Sequence, residues 1–283
     1  MSFTLPPMGF GPGSQPAPED GELSYMAMPS GMRTYEAHLP EIDDPKRAAP
    51  ALAFLLRLSE ACESAASGGG GAVLPLDGLD PFNRALVEET LGEGEVALTL
   101  RAVRAAPETL AQEAVFAGVW RVRSGDAHSV EIGAIPQALR ARAHEAAAPP
   151  PGLSARAGEG VMSAPALVAE LLDKAAGAAP GAPAHVVNLT LLPHTVQDLA
   201  HLDAALGHGA ATLLSRGYGN CRLDATATRG VWRVRFFNSM DALILDTIEA
   251  VEVPEVALAA PEDLADSAER LREVHATLAG AAA

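Results

Sequence analysis

An internal repeat with an offset of 115 positions constrains this chain more than any other feature. Ala49-Pro50-Ala51-Leu52 recurs as Ala164-Pro165-Ala166-Leu167. At the same offset Leu56 falls on Leu171, Leu74 and Leu76 on Leu189 and Leu191, and Leu91-Gly92 on Leu206-Gly207. Gly94, Leu98 and Arg101 fall on Gly209, Leu213 and Arg216. After a length change of three residues, Gly118-Val119-Trp120-Arg121-Val122 matches Gly230-Val231-Trp232-Arg233-Val234. The only two tryptophans thus occupy the same place in both copies. A repeat of this kind sets the architecture before local propensities are weighed. It implies a tandem duplication with two related halves.

Each copy reads in one order. A helix begins at the proline, Pro50 or Pro165, where a missing N–H is harmless. Leu52, Leu55 and Leu56, and then Leu167, Leu171 and Leu172, recur at helical spacing. A Gly/Pro loop leads to a short strand, Ala72 to Leu76 or His185 to Leu191. A second helix runs to Gly92 or Gly207, which suit a left-handed C-terminal cap. Three strands finish the copy. In Val231 to Phe237, Trp232, Val234 and Phe236 alternate with Val231, Arg233 and Arg235, a period of two with one wet face. Trp120 and Val122 alternate with Arg121 and Arg123 in the same way. A last helix begins at Pro261. Glu262 and Asp263 favour its dipole, and Leu264, Ala268, Leu271 and Leu278 form its apolar stripe. The expected fold class is α+β: a helix-strand-helix-three-strand unit in tandem, two small mixed sheets with helices packed on one face. The units span 49–145 and 162–283, the second including the C-terminal helix, with a proline-bearing linker at 146–161.

Residues 1–48 carry no helical or strand period and are rich in Pro and Gly, as in an extended or disordered arm. Yet five of the seven methionines (Met1, Met8, Met26, Met28 and Met32) lie in it, with Phe3, Phe10, Tyr25 and Tyr35. Such adhesive side chains either pack on the protein's own surface or order on a partner.

The formal net charge is −16. That excess argues against nucleic-acid backbone binding and against docking on anionic lipid. No apolar run approaches the ~18 residues of a membrane helix, and no signal-peptide pattern precedes Arg33. We therefore expect a cytoplasmic protein without membrane insertion. The two cysteines, Cys62 and Cys221, are too few for a Cys-only zinc or iron–sulfur site.

The copies differ most at Ser215-Arg216-Gly217-Tyr218-Gly219-Asn220-Cys221-Arg222, which replaces Leu100-Arg101-Ala102-Val103-Arg104-Ala105-Ala106. From His208 to Phe237, Arg216, Arg222, Arg229, Arg233 and Arg235 face Asp224 alone, a local charge of +4. The matching stretch Glu93 to Gly125 balances four Arg against four Glu. Several readings compete for this loop. It is a phosphate cradle, a catalytic thiol with its pKa depressed by Arg216 and Arg222, a buried Cys in a tight turn, or a docking surface for an acidic or metal-bearing protein partner. His194, His201 and His208 recur every seven residues and read as one polar helix face, too widely spaced to share a metal. Asp241, Asp246 and Glu249, near Asn238 and Ser239, suit either a carboxylate site or turn and strand-edge chemistry. HExxH, GxSxG, P-loop and EF-hand patterns are absent, so no cofactor is expected.

This loop and the strands after it resemble a known family. Arg216-Gly217-Tyr218-Gly219-Asn220-Cys221-Arg222, Val231-Trp232, Phe237-Asn238-Ser239, Ile244 to Glu249 and Val253-Pro254 are similar to the C-terminal signature of the HupH/HyaF hydrogenase expression/formation family. Gly11 to Pro16, Met28-Pro29 and Gly31-Met32 resemble its opening segment. The resemblance implies a non-enzymatic chaperone or scaffold for assembly of a [NiFe] uptake hydrogenase. It implies action on the iron–sulfur small-subunit precursor before export, beside a thioredoxin-like accessory protein. The partner-binding residues expected on this basis are Arg216, Gly217, Tyr218, Gly219, Asn220, Cys221, Arg222, Arg233, Arg235 and Asn238. The alternative is a thiol-dependent or Fe–S transfer factor using Cys221.

Overall fold

The computed structural model describes residues 39–42, 44–177, 181–216 and 220–281. Most of the N-terminal arm, with its methionines, lies outside the described residues. Asp44 opens the first helix, α1 (Pro45–Ala66). Its carboxylate accepts the amides of Lys46 and Arg47 at 3.1 and 3.2 Å, and Pro45 takes the first helical position. The helix thus starts upstream of the repeated segment, with Pro50 inside it. The expected boundary at residue 48 moves accordingly, because Leu39 and Ile42 already pack on the core.

The elements then follow one order twice. After α1 come β1 (Ala72–Pro75), α2 (Pro81–Leu91), β2 (Val96–Leu100), β3 (Thr109–Glu113), β4 (Val119–Ser124), β5 (Ala127–Ile132) and the short α3 (Gln137–Arg142). After α4 (Ala164–Gly177) come β6 (His185–Asn188), α5 (Val196–Leu206), β7 (Ala211–Ser215), β8 (Asn220–Ala225), β9 (Val231–Phe237) and β10 (Leu243–Ala250). Helix α6 (Pro261–Ala281) comes last. Each series closes with four strands rather than three.

The strands form one ten-stranded sheet in the order β1-β5-β4-β3-β2-β7-β8-β9-β10-β6. Every pairing is antiparallel. The two small mixed sheets expected from the repeat are therefore one antiparallel sheet. The physical reason is that β2 and β7 would each be an open edge, with a row of unpaired amides and carbonyls. Pairing them closes both. Leu98 lies opposite Leu213 in that pairing, and these are the two residues that the 115-residue offset equates. The contact has the self-complementary form of a two-fold dimer interface, made within one chain.

Strand alternation gives the sheet two different faces. On one, Leu98, Leu100, Trp120, Val122, Leu213, Leu223, Trp232 and Val234 are buried beneath Ile135, Leu139, Val253 and Ala257. The indoles act alike: Trp120 Nε1 donates to Gly133 O and Trp232 Nε1 to Glu252 O, each at 3.1 Å. Leu139 belongs to α3, so helices lie on both faces of the sheet, not on one. On the opposite face the helices sit over the sheet's outer strands. Leu55, Leu58, Val87 and Leu91 of α1 and α2 cover Leu74, Val130 and Ile132. Val168, Leu171, Leu202 and Leu206 of α4 and α5 cover Val187, Ile248 and Ala250.

Helix α6 has the expected apolar stripe, Leu264, Ala268, Leu271 and Leu278, all buried. Its place differs from the expected division, because it packs in the cluster of α1 and α2. Ser267 Oγ donates to Ala117 O at 2.9 Å, and a Cβ on Gly118 would lie 2.4 Å from Leu264 Cδ2. The second unit's last helix thus completes the first unit's core.

Gly92 and Gly207 end α2 and α5 with φ of 57° and 65°, as expected, but with extended ψ of −159° and −179°. That region is more restricted to glycine than the left-handed helical one. Among the described residues no helix is long and apolar enough to cross a membrane.

A buried carboxylate fastens α4 to α5. Asp198 Oδ1 accepts the amides of Met162, Ser163 and Ala164 at 2.8, 2.9 and 3.0 Å, and Oδ2 accepts that of Thr195 at 3.0 Å. The amides of Thr195 and Ala164 lead in holding its carboxyl well below the usual range. A depressed folded-state pKa adds stability above the unfolded value, which is lost as pH falls towards the folded one. Asp198→Asn should therefore be less stable than the parent at neutral pH. It should also lose less stability than the parent on acidification below about pH 4, as read by urea unfolding across pH.

Candidate partner-binding surface

The sheet face opposite the tryptophans is bare in its middle, between the two helical clusters. In the second half this gap is a polar cradle of about 390 Å³. Arg222 and Asp224 of β8 and Arg233 and Arg235 of β9 point into it, because residues two apart on a strand share a face. Arg222 lies opposite Arg235, and Asp224 opposite Arg233.

The arginines are not a free basic patch. Asp224 accepts from Arg222 Nε and Nη2 at 2.8 and 3.0 Å and from Thr212 Oγ1 at 2.8 Å, and it also pairs with Arg235. Burial works against its charge, but the hydrogen bonds from Arg222, Thr212 and Arg235 hold its carboxyl below the ordinary value. Arg233 forms a two-pronged pair with Asp246, Nε to Oδ1 at 3.0 Å and Nη2 to Oδ2 at 2.7 Å. Its Nη1 reaches Asp203 at 2.9 Å. The local excess of +4 is thus reduced by two carboxylates from outside the counted segment, on α5 and β10. One donor remains: Arg235 Nε is buried without a partner among the described residues.

The other expected site residues divide by location. Gly217, Tyr218 and Gly219 lie outside the described residues. Arg216 donates its amide to Glu95 O at 3.1 Å, which ties the loop's start to the first half. Asn220 Nδ2 donates to Asp241 Oδ1 at 3.0 Å. Asn238 Oδ1 accepts the amides of Met240 and Ala242 at 2.9 and 3.0 Å. Asn238 therefore shapes the β9–β10 turn, in which Asp241 has a φ of 57°.

Cys221 points to the opposite face and is buried in the tryptophan-side core. Burial, aided by the nearby Glu249, pushes its thiol up to about 11. Such a thiol is protonated at neutral pH, so the arginines do not produce the depressed pKa that a catalytic thiolate requires. Cys62 is also buried, and burial pushes its thiol up to about 12.

Of the two readings of the acidic residues after Asn238, the geometry favours turn and strand chemistry: Asp246 lies on the cradle face and Glu249 on the tryptophan face, so they do not form a shared carboxylate site. One expectation is corrected. His201 is buried within α5 rather than part of a wet face. A histidine that the repeat did not single out, His144, is the more informative one. Gly230 N donates to its Nε2 at 3.1 Å, so its Nδ1 carries the proton and donates to Thr226 O at 2.8 Å. Burial lowers its pKa.

The geometry defines a class: a mixed helix and antiparallel-sheet protein whose charged side chains are held by one another around an open cradle. Residues 161–278 match the HupH hydrogenase expression protein, C-terminal conserved region. The chain is 55% identical over 273 residues to the hydrogenase expression/formation protein HupH of Rhodobacter capsulatus, covering 96% of this chain and 97% of that one. It is 35% identical over 219 residues to the hydrogenase-1 operon protein HyaF of Escherichia coli K12, covering 75% and 76%. A solved structure of hydrogenase expression protein HupH from Thiobacillus denitrificans is 30% identical and covers 41% of this chain and 97% of its own, with a TM-score of 0.38. The chain belongs to the HupH/HyaF hydrogenase expression/formation family.

Proposed function

We propose that this protein is an accessory factor in hydrogenase maturation, and that it acts by binding rather than by catalysis. The observation that carries this is the near full-length similarity to a hydrogenase expression/formation protein. The further reading is a cytoplasmic chaperone or scaffold. It holds the iron–sulfur small-subunit precursor before export, with a thioredoxin-like protein as a second partner. The docking surface is the cradle lined by Arg222, Asp224, Arg233 and Arg235. The unpartnered Arg235 Nε supports this, because a buried donor calls for an acceptor. Pre-paired arginines also supply oriented positive ends without exposing a large net charge, which suits selectivity more than raw affinity. The buried Cys221 thiol gives no support to transfer chemistry at that residue. Tandem duplication accounts for the matched element order and for the Leu98–Leu213 pairing.

Arg222→Glu places a second negative group beside Asp224 and reverses the cradle's edge. Capture of the purified small-subunit precursor should fall by about tenfold or more, as should capture by a chain lacking residues 1–38, which leaves Leu39, Ile42 and α1 in place. Unchanged capture by both variants would remove the surface assignment. Cys221→Ser should leave capture and hydrogenase activity intact.

A further inference from the structure

Two glutamates occupy matching places on the tryptophan face. Glu131 of β5 stands opposite Trp120, and Glu249 of β10 opposite Trp232. Pro136-Gln137 follows the first and Pro254-Glu255 the second at the same spacing. In the first half Glu131 accepts the Gln137 amide at 2.9 Å and is closed beneath the chain that leads into α3. In the second half the corresponding segment makes only a 3-10 turn, Glu255–Ala257. Glu249 is left with the Thr247 hydroxyl at 3.3 Å as its hydrogen bond among the described residues. Burial raises its pKa.

Where Glu131 meets an amide, Glu249 faces a groove of about 920 Å³. Its apolar wall includes Val186, Phe236, Val251 and Val256, and Val186 and Val256 are 50% and 44% exposed. Three carboxylates line it, Glu249, Glu252 and Glu255. Among the described residues, the one cation in the lining, Arg140, is already held by Glu252 at 2.8 Å. Val186 belongs to β6, the outermost strand on this side of the sheet.

We propose that this groove, on the opposite sheet face from the arginine cradle, binds an apolar peptide segment of a partner protein that carries a lysine or arginine, whose cation meets Glu249. The charge of the lining selects the occupant. An acidic segment would meet the carboxylates of Glu249 and Glu255, and a purely apolar one would leave Glu249 desolvated with only the Thr247 hydroxyl. A cationic side chain between apolar neighbours satisfies both the wall and the carboxylate. The inference does not depend on the cradle being a docking site.

The test uses the full chain and a short fluorescent peptide with a lysine between leucines, followed by anisotropy. The parent should bind it. Glu249→Gln, which keeps the side chain's shape, should weaken binding by about tenfold, and so should Val186→Arg at an already exposed position. Glu269→Gln on α6 should have no effect. Peptides with the lysine changed to glutamate, or the leucines to serine, should not bind. Parent-like affinity in Glu249→Gln, no binding by the parent, or equal binding of the serine peptide would overturn the proposal. So would a parent dimer that Val186→Arg converts to monomer, which would assign the groove to a second copy.

Discussion

Trp232→Ala should lower the unfolding free energy by about 3–5 kcal/mol, the usual cost of emptying a large aromatic site in a packed core. Trp232 is wholly buried, and its loss also leaves Glu252 O without the indole donor at 3.1 Å. The His144 ring stands edge-on to the indole with centroids 5.0 Å apart. His144 comes from the first half and bridges Thr226 and Gly230 of the second. The cavity would therefore loosen a contact between halves as well as one core. Denaturant unfolding should show a lower midpoint with an unchanged slope. Trp232→Phe, which keeps most of the volume, should lose much less.

Arg233→Met should destabilise by a similar amount, about 3–5 kcal/mol, because it strands Asp246 in the protein interior. The side chains of Arg233 and Asp246 are only 19% and 10% exposed. The hydrogen bonds that Arg233 donates to Asp246 lead in raising the Arg233 pKa, which marks a pair that favours its charged form. Replacing both partners is a different experiment from breaking the pair. The double variant Arg233→Met/Asp246→Leu should recover most of the loss, since an apolar pair leaves no buried charge unmatched. A double-mutant cycle by chemical denaturation measures the coupling.

Local patterns proved readable where one strand or helix carries its own evidence. The bounds Val231 to Phe237 match β9, and the stripe on α6 matches its buried face, whereas Val231, expected on the wet face with Arg233 and Arg235, is buried beneath α4 and α5. The helix ends at Gly92 and Gly207 were legible because only glycine suits those backbones. Partners from distant segments were not legible. Nothing in Val96–Leu100 or Ala211–Ser215 says that the two strands pair, because register between halves is a property of the assembled sheet. The charge count near Cys221 failed for the same reason: Asp203 and Asp246 reach Arg233 from α5 and β10. Asp224 is different. It lies two residues from Arg222 on one strand, so that pair could have been read from the period alone. The start of α1 was missed because the repeat begins after it, although Asp44-Pro45 is a sound helix-start signal.

The position of α6 has a consequence for synthesis. Leu55 and Leu58 of α1 are covered in part by a helix that begins at Pro261. At ribosomal rates the intervening chain takes roughly ten to forty seconds to make. Throughout that interval the first half's apolar stripe has no permanent cover. The nascent chain must be shielded, or must wait, until its final helix emerges.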